Sequence, residues 1–200
     1  MSTTVRTRHD ASDVHVQSNH AVAAEPHSRA VVRWSAAAAR LALGWVFLWA
    51  FLDKLLALGF STGRDAETGA VDTFGPAAWI HEGSPTLGFL KFGTKGPLAD
   101  FYQGFAGASW ANWGFMVGLA GIGVALMLGV AMRIAAASGT LMLVMMWSAV
   151  LPPENNPFVD DHLVYAIVLI LLAGLGAGRT LGLGGWWERL ILVQRHPILK

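Results

Sequence analysis

The sequence predicts an all-α, polytopic membrane protein: a bundle of four transmembrane helices with a long extracytoplasmic loop that carries short interfacial helices. Three observations predict it. The chain has 200 residues and is 54% hydrophobic but only 14% charged, against about 25% charged in a typical soluble domain. Residues 113–132, 134–151 and 162–178 contain no Asp, Glu, Lys or Arg, and a helix needs roughly 17–25 apolar residues to cross the hydrocarbon core. The alternating pattern of barrel strands is absent, so helices are the elements left that can satisfy their backbone in lipid.

Residues 1–30 are polar and hold His9, His15, His20 and His27. They have neither the apolar core of a signal peptide nor helical periodicity, and are expected to form a disordered cytoplasmic tail. The membrane domain is expected over 31–180. Its first helix spans about 33–60 and contains Arg40, Asp53 and Lys54. Residues 61–112 form the outer loop, rich in Phe and Trp, in which Pro97 can open a short helix bearing Leu98, Phe101 and Phe105. The second and third helices span about 113–132 and 134–151, with Arg133 in a short turn between them. Pro152 and Pro153 end the third. The fourth spans about 161–178. Gly114, Gly118, Gly121, Gly123, Gly129, Ala135, Ser138 and Gly139 supply small residues for close helix contacts. Residues 181–200 set Trp186 and Trp187 beside Arg189 and Arg195, a pattern for a cytoplasmic amphipathic tail at the interface.

Charge sets the orientation. Residues 1–40 carry 5 basic and 3 acidic side chains, 53–112 carry 4 and 6, 152–161 carry 0 and 3, and 179–200 carry 4 and 1. Basic and acidic excess alternate, with Arg133 on the basic side. The positive-inside rule therefore puts both termini in the cytoplasm of a cell whose inner, plasma membrane the chain crosses.

Some chemistry is excluded. The chain has no cysteine, which removes disulfide exchange, thiolate metal sites, iron–sulfur ligation and c-type haem attachment. One intramembrane histidine cannot supply a bis-histidine haem. No metal site and no bound haem, flavin or iron–sulfur cluster is expected. The net charge of +1 and the scattered basic residues do not suggest nucleic acid.

The candidate site comes from polar groups where lipid disfavours them. With Arg40 at the inner edge, Lys54 lies about 21 Å further along the axis, inside a core about 30 Å thick. Arg40 and Lys54 can snorkel on their long stems; Asp53 cannot, and an intramembrane carboxylate is a functional candidate. Asp160, Asp161 and His162 start the fourth helix on the same side of the membrane. Either aspartate can be an N-cap, whereas His162 can relay protons. Tyr165 lies one turn deeper, and Trp147 lies near the outer end of the third helix.

The run RLALGWVFLWAFLDKLLALGF resembles the first helix of the DoxX/DoxD membrane proteins, with Arg40 and Lys54 at that family's arginine and lysine positions. GPLADFYQGFAG, GIGVALMLGVAMRIAAASGTLMLVMMW and PPENNPFVDDHLVYAIVLILLAGLGAGRTLGLG are similar to its later segments in the actinobacterial branch. The resemblance covers residues 33–195. The second helix lacks the glutamate often found there, with Gly118 or its neighbours in that place. DoxD-like members are subunits of thiosulfate:quinone oxidoreductase, so the resemblance implies a membrane oxidoreductase passing electrons from thiosulfate, oxidised to tetrathionate, to a diffusible quinone. On that reading Asp53, Lys54, Asp161 and His162 are the catalytic candidates. Lys54 and Arg64 would hold the anion, Trp79, Trp147 and Tyr165 would contact the quinone ring, and Asp161 with His162 would supply protons. The alternative is a non-catalytic anchor or assembly subunit of a respiratory or redox-defence complex. Expected partners are membrane lipid, quinone, and other membrane oxidoreductase subunits or a second copy.

Overall fold

A computed structural model describes residues 26–200. The expectations for residues 1–25, with His9, His15 and His20, lie outside the described residues. Helix α1 runs Pro26–Leu56, so it starts before the expected residue 33 and stops before residue 60. The helix stops because the chain turns back at Ala57 and Gly59, both at positive φ (54° and 83°). Glycine carries such a φ without steric cost. Asp53 and Lys54 consequently lie in the last turn of α1, where a cation is favoured by the helix dipole.

The connection to the next long helix contains a 3-10 turn at Trp79–His81, a π turn at Phe89–Gly93, a 3-10 turn at Gly96–Leu98 and helix α2, Ala99–Gln103. Pro97 opens this last pair, as the sequence suggests. Aromatic rings hold the segment together: Phe101 and Tyr102 lie with centroids 5.5 and 5.8 Å from Phe105, and Phe105 lies 5.2 Å from Trp110. Asn112 is a second anchor, its Oδ1 accepting from Ser84 Oγ at 3.0 Å and from Thr86 Oγ1 at 2.6 Å.

Helices α3 (Ser109–Leu128), α4 (Met132–Ala149) and α5 (Asp161–Gly174) follow. Helix α3 packs mainly on α1, and α5 on α4, with α3 against α4 and a lighter α1–α5 contact completing the bundle. Leu43 and Phe47 of α1, Ile122 and Leu126 of α3, Leu143 of α4 and Leu169 of α5 fill the centre. Small residues set how closely the helices approach. A Cβ on Gly123 would meet the Leu48 backbone at 2.8 Å, and one on Gly139 would meet Leu169 at 2.7 Å. Gly114 and Gly121, grouped with them in the sequence, have nothing described within 4 Å of an added Cβ; they lie outside the contact.

Helices α1, α3 and α4 are each long and apolar enough to cross a membrane. Helix α5 is apolar but has 14 residues. It ends earlier than the expected residue 178, and a 3-10 turn at Ala177–Arg179 continues the path. The described residues form helices and irregular segments; their extended pairing is confined to one bridge between Arg64 and Val71. Large apolar side chains, among them Val117, Leu141, Ile167 and Ile170, face outward, as lipid contact requires and water disfavours.

The C-terminal segment folds as two short helices, α6 (Gly184–Trp187) and α7 (Ile191–Arg195). It docks beneath the α3–α4 turn. Arg133 donates its backbone N–H to the Lys200 carbonyl and its Nη1 to the Pro197 carbonyl, both at 2.8 Å. Trp187 Nε1 donates to the Leu199 carbonyl at 2.6 Å. A Cβ on Gly129 would lie 2.6 Å from the Gly178 carbonyl oxygen, so this turn admits only glycine.

Candidate functional site

Arg40, expected to snorkel, does the opposite: it is 0% exposed. Its Nη1 donates to the carbonyls of Leu126 and Met127, and its Nη2 to those of Thr180 and Leu181. The physical reason is the end of α3. The last carbonyls of a helix lack intrahelical partners and carry the negative end of its dipole, so the guanidinium finds partial charge and acceptors inside the bundle. Its Nε has no hydrogen-bond partner among the described residues. Arg40 ties α1, α3 and the strand of chain after α5 together, and is a structural group at the end opposite the loop.

The loop end gathers the other polar groups in two sets. In the first, Asp53 is 1% exposed and its carboxylate accepts from the Phe60 N–H at 3.0 Å, the Ser61 N–H at 2.9 Å and the Ser61 hydroxyl at 2.7 Å. Its oxygens are committed to holding the turn that ends α1. Lys54 Nζ donates to the Ser61 oxygen at 2.9 Å and lies 6.0 Å from the centre of the Phe115 ring, within cation–π range. Ser61 thus bridges the ammonium and the carboxylate. An ammonium has three N–H donors, and Ser61 is the one side-chain hydrogen-bond acceptor Lys54 Nζ has among the described residues. Arg64 is exposed; its Nε and Nη1 are taken by the Gly59 and Gly69 carbonyls at 2.8 and 3.0 Å. Trp79 stacks edge-on against Trp113 at 4.7 Å, and both line an open cleft of about 470 Å³ with Leu55, the residue after Lys54.

The second set lies at the start of α5. Asp160 Oδ1 accepts from the Leu163 N–H at 3.1 Å, the N-cap role, and its Oδ2 lies 2.8 Å from His162 Nδ1. Asp161 Oδ1 is 3.5 Å from the same nitrogen. The ligand atoms of Asp160, Asp161 and His162 all lie within 4.8 Å of one another, a spacing compatible with a divalent cation, although Asp160 is already engaged by its cap. Asp160 and Asp161 line a cleft of about 580 Å³ whose other wall carries Lys95 and Glu154, paired at 3.1 Å. Trp147 donates its Nε1–H to the Phe158 carbonyl at 2.9 Å, bracing the loop. Tyr165 packs against the bundle core.

Lys54 and His162 therefore share one end of the bundle, but no hydrogen bond, ion pair or ring contact among the described residues joins the two sets. Ser61 and Phe115 escaped the sequence reading. Ser61 follows a reversal set by positive φ at Ala57 and Gly59, and a serine in a loop carries no signal of its own. Phe115 required knowing which helix packs beside α1. No family model matches the chain, and no curated protein or solved structure matches it either.

Proposed function

We propose that the chain is a four-span membrane protein of the DoxX/DoxD kind and serves as the membrane subunit of a quinone-linked oxidoreductase, with thiosulfate as electron donor. The fourth span is α5 extended through the turn at Ala177–Arg179. Helix α5 alone rises about 21 Å, and the added residues bring the path near the ~30 Å core. Both termini lie in the cytoplasm, and the loop end faces outward.

The observation that carries the reading is Lys54: a half-buried ammonium in the last turn of an apolar helix, beside an aromatic ring and hydrogen-bonded to Ser61. Such a group suits an anion or a quinone oxygen arriving from the membrane, since desolvated charge–dipole contacts are stronger than those in water. Quinone reduction takes up two electrons and two protons. His162, held by two carboxylates beside an open cleft, suits the proton supply. Asp53 acts here as a positioning residue, because its acceptors are used by the turn that places Ser61 under Lys54.

A second reading, an anchor or assembly subunit, is favoured by one observation: Asp53 and Asp160 are both accounted for by turn and cap hydrogen bonds. The experiment that separates the two is purification from native membrane and reconstitution with quinone. Thiosulfate-dependent quinone reduction by homogeneous single-chain protein supports the first. Inactivity of the single chain, with turnover restored only by a co-purifying subunit that lacks any requirement for Lys54, supports the second.

A further inference from the structure

The cytoplasm-facing end of the proposed bundle carries a different surface. Arg40 reaches the last carbonyls of α3, and α1 stays packed for one turn beyond it, through the buried Ala37 and Ala36. Residues 26–35 continue past that level. Residues 27–35 are exposed apart from a half-buried Ala30. It is not simply polar: Trp34 is half exposed and lies 5.8 Å from the Arg33 guanidinium, with Arg29 one turn further out. The folded-back C-terminal segment presents the same chemistry. Trp186 is 60% and Ile191 70% exposed, while Arg189 and Arg195 are exposed beside them. Residues 26–40, 133 and 179–200 together carry eight Arg or Lys and one acidic side chain, Glu188.

Exposed tryptophan beside arginine, repeated on two elements at one end of an apolar bundle, matches the layer where hydrocarbon gives way to headgroups. Arg33 and Trp34 lie about 9–10.5 Å along α1 from Arg40; with α3 filling the core, that is the outer side of a headgroup layer about 5–8 Å deep. We propose that this end is a docking surface for anionic phospholipid headgroups, formed by Arg29, Arg33 and Trp34 of α1 together with Trp186, Arg189 and Arg195. The indoles enter the interface and the guanidiniums pair with phosphate oxygens, for which their planar fork of donors is suited. The excess of positive charge selects anionic over zwitterionic lipid. The inference rests on the reading of the chain as bilayer-embedded, but not on its redox activity.

The test uses the full chain reconstituted in phosphatidylcholine with spin-labelled phosphatidylglycerol or spin-labelled phosphatidylcholine as the probe, and reads the motionally restricted fraction. The parent is expected to prefer phosphatidylglycerol severalfold, with the preference shrinking as salt rises, because exposed charge pairs are screened. Each basic residue near an anionic surface contributes up to roughly fivefold. Arg29→Gln with Arg33→Gln, and separately Arg189→Gln with Arg195→Gln, should each lower the preference severalfold. Lys91→Gln, an exposed cation at the other end, should leave it unchanged. Equal restriction of the two lipids by the parent overturns the proposal, as does a preference that survives in both double variants or is insensitive to salt. So does recovery of an acidic cytoplasmic protein that binds through these arginines while lipid selectivity is absent. A chain that selects phosphatidylglycerol but shows no quinone-dependent turnover retains this inference and loses the functional one.

Discussion

At the scale of single residues, three ionisable groups of α1 show how one apolar helix accommodates charge in three ways. Arg40 is neutralised by helix-end carbonyls, Asp53 by turn N–H groups, and Lys54 meets the Ser61 hydroxyl and the Phe115 ring. Arg40→Lys keeps the charge but loses the fork that reaches four carbonyls, so at least two bonds go. Hydrogen bonds to charged groups contribute about 1.5–3 kcal/mol each, and the expected loss is about 3 kcal/mol, read as lowered thermal stability in detergent. A variant within 1 kcal/mol of the parent would contradict the capping role. Lys54→Met keeps the stem and removes the charge; His162→Gln keeps polarity and removes the imidazole that could carry a proton. Both should fold and insert. Each is expected to lower quinone-dependent turnover at least tenfold, about 1.4 kcal/mol of transition-state stabilisation, and parental turnover in either removes that residue from the mechanism. The polar residues were legible in the sequence because charge inside an apolar run stands out. Their partners were not: the Arg40 acceptors are backbone carbonyls, which every sequence has, and Ser61 meets Asp53 through a turn that no residue pattern announces.

At the scale of elements, the helices were legible from their apolar runs, while their ends moved by several residues. The apolar pattern marks what lipid or core requires; the termini follow from local φ and from contacts such as that of Gly129 with Gly178. The C-terminal segment, for which the sequence predicts one short interfacial helix, folds as two short helices braced by Arg133 and by an ion pair. Arg179 and Glu188 meet at 2.7 Å. The Arg179 hydrogen bonds hold the Glu188 carboxyl below the usual glutamate range, against an opposing effect of burial, with the charges of Arg179, Lys200 and Arg133 adding to the lowering. A carboxyl with a depressed folded pKa contributes stability that is full above the ordinary glutamate value and disappears as pH falls through the lowered one. For a partly exposed pair the contribution is about 0.2–1 kcal/mol. Glu188→Gln should therefore lower thermal stability slightly at pH 7, and parent and variant should converge as pH drops below about 4. A gap that widens on acidification would contradict this assignment.

At the scale of the whole molecule, charge and shape agree. One end is basic, with Arg40 inside it and exposed Trp and Arg around it; the other carries the acidic loops, the aromatic connection and both candidate sets. The proposed topology has four helices crossing a membrane with the loop end outside. The native chain has no cysteine, so single cysteines report position against a silent background. Glu67→Cys and Asn155→Cys are exposed in the two loops, and Arg133→Cys and Gln194→Cys lie at the other end. The measurement is labelling of intact cells by a membrane-impermeant thiol reagent. The cysteines at 67 and 155 are expected to react, and those at 133 and 194 to react only after permeabilisation. Reaction at 133 with protection at 155 would mean the opposite orientation, and reaction at both 155 and 194 in intact cells would mean that α5 does not cross.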